Sequence, residues 1–438
     1  MDSVATLLVD AAVAEYHAFR RASKRGVADR ERWKPLKHRD GINVFHERVA
    51  TTPTIRKRKQ AGRRQPTGAA RTGDIESLLA VGCVPGNLED ALLGLLNLTR
   101  DQAIFKSAST SDGLSDSVVL ATIVPPTTGN PLRGLAVKWS AATARASAFM
   151  SPVVPVKARD FVYLEATGMA MGEDGEQVGY HLMHSVEIPG VRKLHEHHLV
   201  RTNVSICCLL RQKRVGVLEM YVKGCIDKCG LRSGLTLALT ADLLLSYRLA
   251  ASCGQMKKLA WMVAAGDGEF KPKISDDMAN RASLLSTLTS SYHERPSSES
   301  DMSVAKGHRS ACSSCQSRLR GSSRLRRRVC EICSGVICSL CLVPCSIHRH
   351  TFRRAVDLAS GRESTEKQSG KDDRLVMCRR CWDAAERTNP IEVAMDEVHR
   401  SILNVSGMDS ALLASATSLF SLINSDRFDN KDFFFNVH

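Results

Sequence analysis

The sequence predicts an α+β protein in which a mostly antiparallel sheet curls around a long closing helix, followed by a small cysteine-rich module. Extended segments recur between residues 117 and 226, and turn signals such as Asp174-Gly175 separate several of them. Residues 233–265 then place leucines near helical spacing. Four Cys-x2-Cys pairs lie between Cys312 and Cys381. Strands joined by hairpins form antiparallel sheets, so the first part of the chain is assigned to the α+β class.

The elements of this first part follow in order along the chain. Residues 1–24 have the pattern of an amphipathic helix, and Asp40-Gly41 between two extended segments predicts a hairpin over residues 33–49. A strand over residues 75–84 precedes a helix that begins after Asn87. The remaining predicted strands cover residues 117–124, 132–139, 160–167, 177–187, 200–211 and 215–226.

Three of these segments carry a family resemblance. Residues 161–165 (FVYLE), 180–190 (YHLMHSVEIPG) and 220–227 (MYVKGCID) resemble START domains, the lipid-transfer modules of the helix-grip fold. The resemblance covers about residues 10–265 and implies that one hydrophobic lipid binds in a tunnel between the sheet and the last helix. Apolar burial contributes about 0.8 kcal/mol per CH₂ group, so a tunnel binds lipid with few polar contacts. The same apolar positions also suit a solid core, so no cavity residue is assigned.

Composition restricts the partners and the compartment. The 438 residues carry a formal net charge of +15, which favours anionic partners such as acidic lipids or nucleic acid. No run of 18 apolar residues occurs, so a membrane-spanning segment is not expected. Residues 1–20 lack the basic start and apolar core of a secretory signal, so a reducing, cytoplasmic compartment is expected. The basic run over residues 56–64 is interpreted as a solvated loop, with a nuclear-import or membrane patch as the alternative.

The paired cysteines predict two closed zinc sites. Each Cys-x2-Cys turn places two sulfurs within reach of one ion, so two pairs complete a tetrahedral site. Only four residues separate Cys333 from Cys338, so the two middle pairs cannot easily share an ion while the distant outer pairs share the other. Interleaved pairing is therefore favoured. It assigns zinc 1 to Cys312, Cys315, Cys338 and Cys341, and zinc 2 to Cys330, Cys333, Cys378 and Cys381. Four protein ligands leave no open position for an activated water, which favours structural over catalytic zinc.

Other cysteines and histidines are weighed against these pairs. Disulfides are disfavoured because the spacing repeats four times in a chain expected to be cytoplasmic. Cys345, His348 and His350 remain an alternative source of ligands. The stretch 195–198 (HEHH) is interpreted as an exposed loop. The six cysteines before residue 300 lack ligand spacing and are expected to be small buried residues.

The cross-braced spacing resembles that of the FYVE finger. Leu319 stands where that family has an aromatic core residue, and Arg326, Arg327 and Arg328 stand where it has a basic stretch before the third cysteine. In that family the basic motif binds the 3-phosphate of phosphatidylinositol 3-phosphate on endosomes. The resemblance implies that these three arginines contact a lipid headgroup, a role that guanidinium groups suit because they bind phosphate in a forked geometry.

The chain departs from the FYVE pattern at four places. No Trp precedes Cys312, and Arg328-Val329 replaces the two histidines of the basic motif. Glu331 replaces the arginine after the third cysteine, and Val376-Met377 replaces Arg-Val before the seventh. With these changes the expected partner is anionic membrane in general, since each basic residue near such a surface contributes about 1 kcal/mol.

The sequence thus divides into four predicted parts. Residues 1–265 form the START-like domain, 266–308 a flexible linker, 309–388 the FYVE-like finger with a long flexible insertion over 346–374, and 389–438 C-terminal helices and a tail. Helical character is expected over residues 391–403 and 410–423.

The predicted function is non-enzymatic lipid binding at membranes. The protein is expected in the cytoplasm, peripheral on endosomal or other membranes, with no catalytic residues, because no phosphate-cradling loop and no nucleophile elbow occurs. The alternative is a RING-like ubiquitin ligase or a zinc-dependent interaction adaptor. The Cys-x4-Cys step without a histidine ligand argues against the RING-like ligase. Nucleic acid is not expected because the arginine cluster lacks interleaved aromatic residues for base stacking.

Overall fold

A computed structural model describes the chain in seven stretches. They are residues 1–22, 28–48, 76–142, 157–267, 311–319, 328–360 and 374–405, apart from residues 174, 192, 195–197, 228, 230–232 and 346. Several predicted features lie outside the described residues. These are the basic run 56–64, residues 195–197 of the histidine-rich loop, linker residues 268–308, Arg326, Arg327, insertion residues 361–373 and the predicted helix 410–423 with the tail.

One large sheet organises the first part of the chain. Its hydrogen-bonded order is β1-β2-β3-β10-β9-β7-β6-β5-β4, and β8 pairs in parallel with β6. Every other pairing in this sheet is antiparallel, which confirms the predicted α+β class and sheet type. The strands are β1 (Trp33–Arg39), β2 (Ile42–Glu47), β3 (Leu78–Pro85), β4 (Leu114–Val124), β5 (Gly134–Ala142), β6 (Arg159–Met171), β7 (Gln177–Ser185), β8 (Val200–Arg201), β9 (Val204–Arg214) and β10 (Val217–Ile226).

Helices cover both faces of the sheet. Along β6, Val162 and Leu164 point to one side, whereas Phe161 and Tyr163 point to the other. The first side, here called the outer face, packs against α1 (Asp2–Ala22), whose buried residues recur at helical spacing. The second side, the inner face, packs against α2 (Leu88–Leu95) and α4 (Ser233–Ser246), and α5 (Ala250–Asp267) packs on α2. The first half of the closing helix, α4, therefore lies against the sheet, as the order of elements predicts, whereas its second half, α5, lies on α2.

The closing helix is long and nearly continuous. A single 3₁₀ turn at Tyr247–Leu249 joins α4 to α5, so the observed span matches the prediction over residues 233–265. Within the described part of the chain, the stretch Gly234–Ala265 has the length and mean hydropathy of a membrane span, and half of it is buried inside the fold. The prediction of no membrane-spanning segment followed from the charged residues Asp242, Arg248, Lys257 and Lys258, which interrupt this apolar run. Its apolar side chains face the inner face and a second core described below.

Helix α3 (Arg100–Thr110) is absent from the sequence-based prediction. Its sequence, RDQAIFKSAST, is mostly polar, yet Gln102, Lys106 and Ser109 are buried. Because buried polar residues break the apolar periodicity, the amphipathic pattern that marks surface helices is missing. The available signal was the cap: Thr99 Oγ1 accepts a hydrogen bond from Gln102 N at 3.2 Å, and Thr-x-x-Gln is a capping-box sequence.

In the described part of the cysteine-rich module, two short antiparallel strand pairs and three helices occur. β11 (Arg328–Val329) pairs with β12 (Val336–Ile337), and β13 (Leu342–Val343) pairs with β14 (Met377–Cys378). The helices are α6 (Arg349–Ala359), α7 (Arg379–Arg387) and α8 (Pro390–Val405). Residues 311–388 of this module are called the finger below, and α8 matches the helix predicted over residues 391–403.

Helix α6 corrects one expectation. The composition of residues 346–374 predicted a flexible insertion, but residues 349–359 form a packed helix. Its apolar positions, Phe352, Ala355 and Val356, recur at helical spacing and pack into the same core as the cysteines. The glycine and polar residues that suggested flexibility lie beyond this helix.

Candidate functional site

Tight backbone turns position the cysteines of the finger. In the first pair, Gln316 N donates to Cys312 O at 2.8 Å, and in the second pair Ser334 N donates to Cys330 O at the same distance. Gln316 and Ser334 both adopt positive φ, 60° and 56° respectively, which turns the chain back after each pair. The two sulfurs of each pair are thereby aimed at one point.

The eight cysteines gather into two groups of four. Cys312, Cys315, Cys338 and Cys341 form one group, and Cys330, Cys333, Cys378 and Cys381 form the other. Within each group all four sulfurs lie within 4.8 Å of one another. The first and third pairs therefore meet in one group, and the second and fourth pairs meet in the other.

The distances between sulfurs suit a metal ion and not a disulfide. Cys315 Sγ lies 3.8 Å from Cys338 Sγ, and Cys333 Sγ lies 3.8 Å from Cys378 Sγ. A tetrahedron with metal–sulfur bonds of about 2.3 Å has sulfur–sulfur edges of about 3.8 Å. A disulfide requires about 2.05 Å, and all fifteen cysteines are free. Each group can hold a metal ion.

In the first group, hydrogen bonds lower the pKa of Cys312 and Cys315 and so favour the thiolate form that binds metal. The Ser317 hydroxyl lies 3.2 Å from Cys315 Sγ, and its hydrogen bond lowers the pKa of Cys315 to about 6. Cys338 N donates to Cys312 Sγ at 3.4 Å, which joins the two pairs of the first group. Cys378 caps α7 and accepts from Cys381 N at 3.4 Å, so the positive end of a helix dipole faces the second group.

The other candidate ligands lie apart from both groups. Cys345 Sγ accepts a hydrogen bond from Ile347 N at 3.4 Å. The rings of His348 and His350 stack with their centroids 5.5 Å apart. Neither histidine joins the sulfurs of either group. His198, the described residue of the histidine-rich loop, is exposed and has φ of 58°.

One predicted headgroup residue is described, and it is accessible. Arg328 lies on β11 and is exposed, as is the neighbouring Val329, with 45% of its surface accessible. Each Cys-x2-Cys turn is called a knuckle here. Leu340 lies in the third knuckle, between Cys338 and Cys341, and is 94% exposed. This knuckle directly follows β12, which pairs with β11. Basic and apolar side chains thus share the exposed surface of the finger.

A cavity of about 760 Å³ adjoins this surface. It lies between the second knuckle, α6 and the C-terminal end of α5, and its lining includes Val263, Val329, Ser334, Phe352 and Arg353.

Glu331, which stands where the resemblance expects an arginine, also lines this cavity but carries a paired charge. Arg349 Nε and Nη2 donate to its two carboxylate oxygens at 2.5 and 2.9 Å, and Val376 N donates to the same carboxylate at 2.9 Å. The opposite charges of Glu331 and Arg349 cancel at this position.

A second polar centre lies on the inner face of the sheet, and sequence reasoning missed it. The Glu165 carboxylate forms an ion pair with Lys138 and lies 3.5 Å from Lys106 Nζ. His181 Nε2 lies 2.9 Å from Glu165 Oε1, and its Nδ1 lies 2.9 Å from the Tyr247 hydroxyl. All five side chains are buried. The available signal was one charged residue inside an apolar strand, as in LAVKWSAA of β5 and FVYLEATG of β6.

Burial and charge pairing set the protonation states of this cluster. Burial alone would raise the pKa of Glu165, but Lys138 and Lys106 hold that pKa well below its usual range. Burial lowers the pKa of His181, so this imidazole is neutral near pH 7. The tautomer that satisfies both partners carries its proton on Nε2, so His181 donates to Glu165 and accepts from Tyr247. The cluster is therefore a fixed, ionised polar centre within an apolar interior.

Comparison with known proteins gives a structural likeness only. No protein-family model and no curated protein matches the sequence. Human StAR-related lipid transfer protein 5 aligns with 15% identity over 58% of this chain and 98% of its own, with a TM-score of 0.37. Human STARD10 aligns with 13% identity over 53% and 78% of the two chains, and the human StarD13 lipid transfer and protein localization domain with 13% over 54% and 93%, both with a TM-score of 0.32. Scores this low carry no argument about what this chain binds.

Proposed function

We propose that this chain is a non-enzymatic lipid-binding protein of the cytoplasm that associates peripherally with anionic membranes, including endosomes. The single observation that carries the proposal is the exposed surface of the finger. There Arg328 and Val329 lie next to one metal-binding group, and Leu340 lies within the knuckle of the other. An apolar side chain that enters the bilayer beside basic side chains at the headgroup level is the usual design of a peripheral membrane contact.

Two zinc ions are the proposed metals. Thiolate ligands select zinc among the common cellular divalent ions, and four of them in a tetrahedron form a closed structural site. The ions would fix the knuckles that carry the exposed surface, because a finger of this size buries too little apolar surface to fold alone. Cys312, Cys315, Cys338 and Cys341 would hold one ion and Cys330, Cys333, Cys378 and Cys381 the other.

The interior between the inner face and the closing helix is the proposed lipid site. Its lining is apolar apart from the Glu165 cluster and the hydrogen-bonded hydroxyls of Ser117, Ser140 and Tyr163, so it suits a hydrophobic molecule with a small polar group. In the structure the described side chains of the inner face pack against α2 and α4, and α5 packs on α2. A lipid would therefore enter when the closing helix moves away from the sheet.

Membrane association is tested by flotation with lipid vesicles. We expect the protein to float with vesicles that contain phosphatidylserine or phosphatidylinositol 3-phosphate and to bind phosphatidylcholine vesicles less. The triple variant Arg326→Ala/Arg327→Ala/Arg328→Ala should lose about 3 kcal/mol of binding to the anionic vesicles, since each basic residue contributes about 1 kcal/mol. The wild-type protein should also lose binding as salt increases.

The matched control removes three basic residues elsewhere. Lys34, Lys37 and Arg39 lie close together on the exposed edge strand β1, and their replacement by alanine leaves the finger intact. This control should float like the wild type. Equal flotation of the arginine variant and the wild type would reject the proposed role of the finger.

The interior site is tested by native mass spectrometry of the purified full-length chain. We expect a population that carries the mass of one lipid, released on denaturation and absent from the unfolded chain. A folded chain whose mass is that of the polypeptide and its metals alone, even after incubation with vesicles, would contradict the interior site.

A further inference from the structure

Helix α5 packs on two sides. On one side it crosses α2 at very short range, because Gly254 and Gly94 lie at the crossing. A Cβ atom on Gly254 would lie 1.9 Å from Asp90 O, and one on Gly94 would lie 2.0 Å from Ala250 O. Only glycine permits this approach, so α5 is fixed tightly on α2, which itself packs on the inner face.

The other side of α5 forms a continuous core with the finger. Cys253, Met256 and Leu259 of α5 are buried in the same apolar cluster as Phe352 of α6. The cluster continues into the finger through Cys312, Cys330, Ile337, Ile347, Leu375, Met377, Cys378 and Cys381. The finger is therefore docked on the closing helix, and its metal-binding groups lie within the docked core.

Polar contacts also join the finger to the helices of the first part of the chain. Lys258 of α5 is buried. Its Nζ lies 2.6 Å from Asp90 Oδ1 of α2 and donates to Thr388 O, at the end of α7, at 3.1 Å. Arg354 of α6 pairs with Asp101 of α3 at 3.1 Å. The buried Lys258 thus links α2, α5 and the C-terminal end of the finger.

These contacts bear on how the interior opens. Because α4, the 3₁₀ turn and α5 are nearly continuous, movement of α4 away from the sheet would move α5 as well. Such a movement would break the contacts of α5 with the finger, or would carry the finger with it. We propose that the metal-loaded finger is a latch that holds the closing helix, α4 and α5 together, over the inner face, and that exchange of molecules with the interior requires the finger to leave α5. As regulation of the interior lipid site, the latch rests on the proposed function, but it is testable without any lipid.

Two adjacent cysteines report opening directly. Cys208 lies on the inner face and is fully buried, whereas Cys207 lies on the outer face, is 8% exposed and packs in the core that α1 covers. Opening of the closing helix as a whole exposes Cys208 alone, and global unfolding exposes both residues. Labelling with N-ethylmaleimide, resolved by tandem mass spectrometry of the peptide, distinguishes these two cases.

The latch is released in two ways, by a zinc chelator and by the double variant Asp101→Arg/Phe352→Ala. The control variant Asp116→Arg replaces the comparable surface ion pair of Arg100 and Asp116 by two positive charges. This pair involves no residue of the finger. Metal content is measured in each variant. We expect release to accelerate labelling of Cys208 at least about tenfold, because local opening free energies set such rates, while Cys207 and the control keep the wild-type rate.

Two outcomes would overturn the latch. One is a Cys208 that stays protected after chelation and in the double variant. The other is labelling of Cys207 and Cys208 at one common rate, which would show that the first part of the chain unfolds as a whole. The labelling assay contains no vesicle and no lipid. Its result therefore tests the latch even if the proposed lipid binding fails.

Discussion

Removal of the metal ions is expected to unfold the finger and to leave the large sheet folded. Binding of structural zinc contributes on the order of 10 kcal/mol to a small domain, and seven of the eight paired cysteines lie in or against the finger core. Limited proteolysis and hydrogen exchange should therefore show full loss of protection over residues 311–388 after chelation. Protection of α5 should fall as well, since one of its two packed sides is lost, while β5 to β10 keep theirs.

Single cysteine variants give the matched comparison. Cys330→Ser removes a ligand from the second group and should abolish the protection of the finger. Cys345→Ser changes a cysteine that lies outside both groups and should leave that protection unchanged. A finger that resists chelation, or that tolerates the two substitutions equally, would show that metal is not what holds it.

Neutralisation of Glu165 is expected to produce the largest loss of stability in the first part of the chain. Glu165→Gln keeps the shape of the side chain but leaves the buried Lys138 and Lys106 without their shared carboxylate. Breaking a buried ion pair by removing one partner costs about 3–5 kcal/mol. Urea unfolding followed by circular dichroism should show this loss as a lower midpoint.

The control for this prediction is an exposed carboxylate with the same change. Glu173 pairs with Arg21 at the surface, where both side chains are more than half accessible. Exposed pairs contribute about 0–1 kcal/mol, so Glu173→Gln should shift the midpoint little. Equal losses in the two variants would contradict the assignment of Glu165 as the centre of a buried charge cluster.

The success of the sequence-based prediction depended on how local each signal was. The strands and the closing helix carry their own periodicity and turn residues, so their order and type were predictable. The relation between the cysteine pairs was also local, because the four-residue step between Cys333 and Cys338 restricts which sulfurs can meet. The structure brings together in each group the same four cysteines that this spacing suggested.

The features that escaped prediction depend on tertiary contacts. Lys106 and Ser109 of α3 are polar in sequence but buried by the elements around them, which hides the helix. Glu165 and Lys138 lie on neighbouring strands, and only the pairing of β5 with β6 brings them together. The docking of Phe352 on α5 likewise joins residues nearly a hundred positions apart. A local window of sequence shows the cap of α3 and the charged residue inside each strand, but it does not show the distant residues that bury or pair with them.

The proposed membrane surface of the finger and the proposed latch both depend on two metal ions bound by interleaved cysteine pairs. Its most direct test is the metal content of the purified, folded full-length chain, measured by inductively coupled plasma mass spectrometry against protein concentration. We predict two zinc ions per chain in the wild type and in Cys345→Ser, and fewer in Cys330→Ser. A chain that is folded over residues 311–388 and contains no metal would contradict the account.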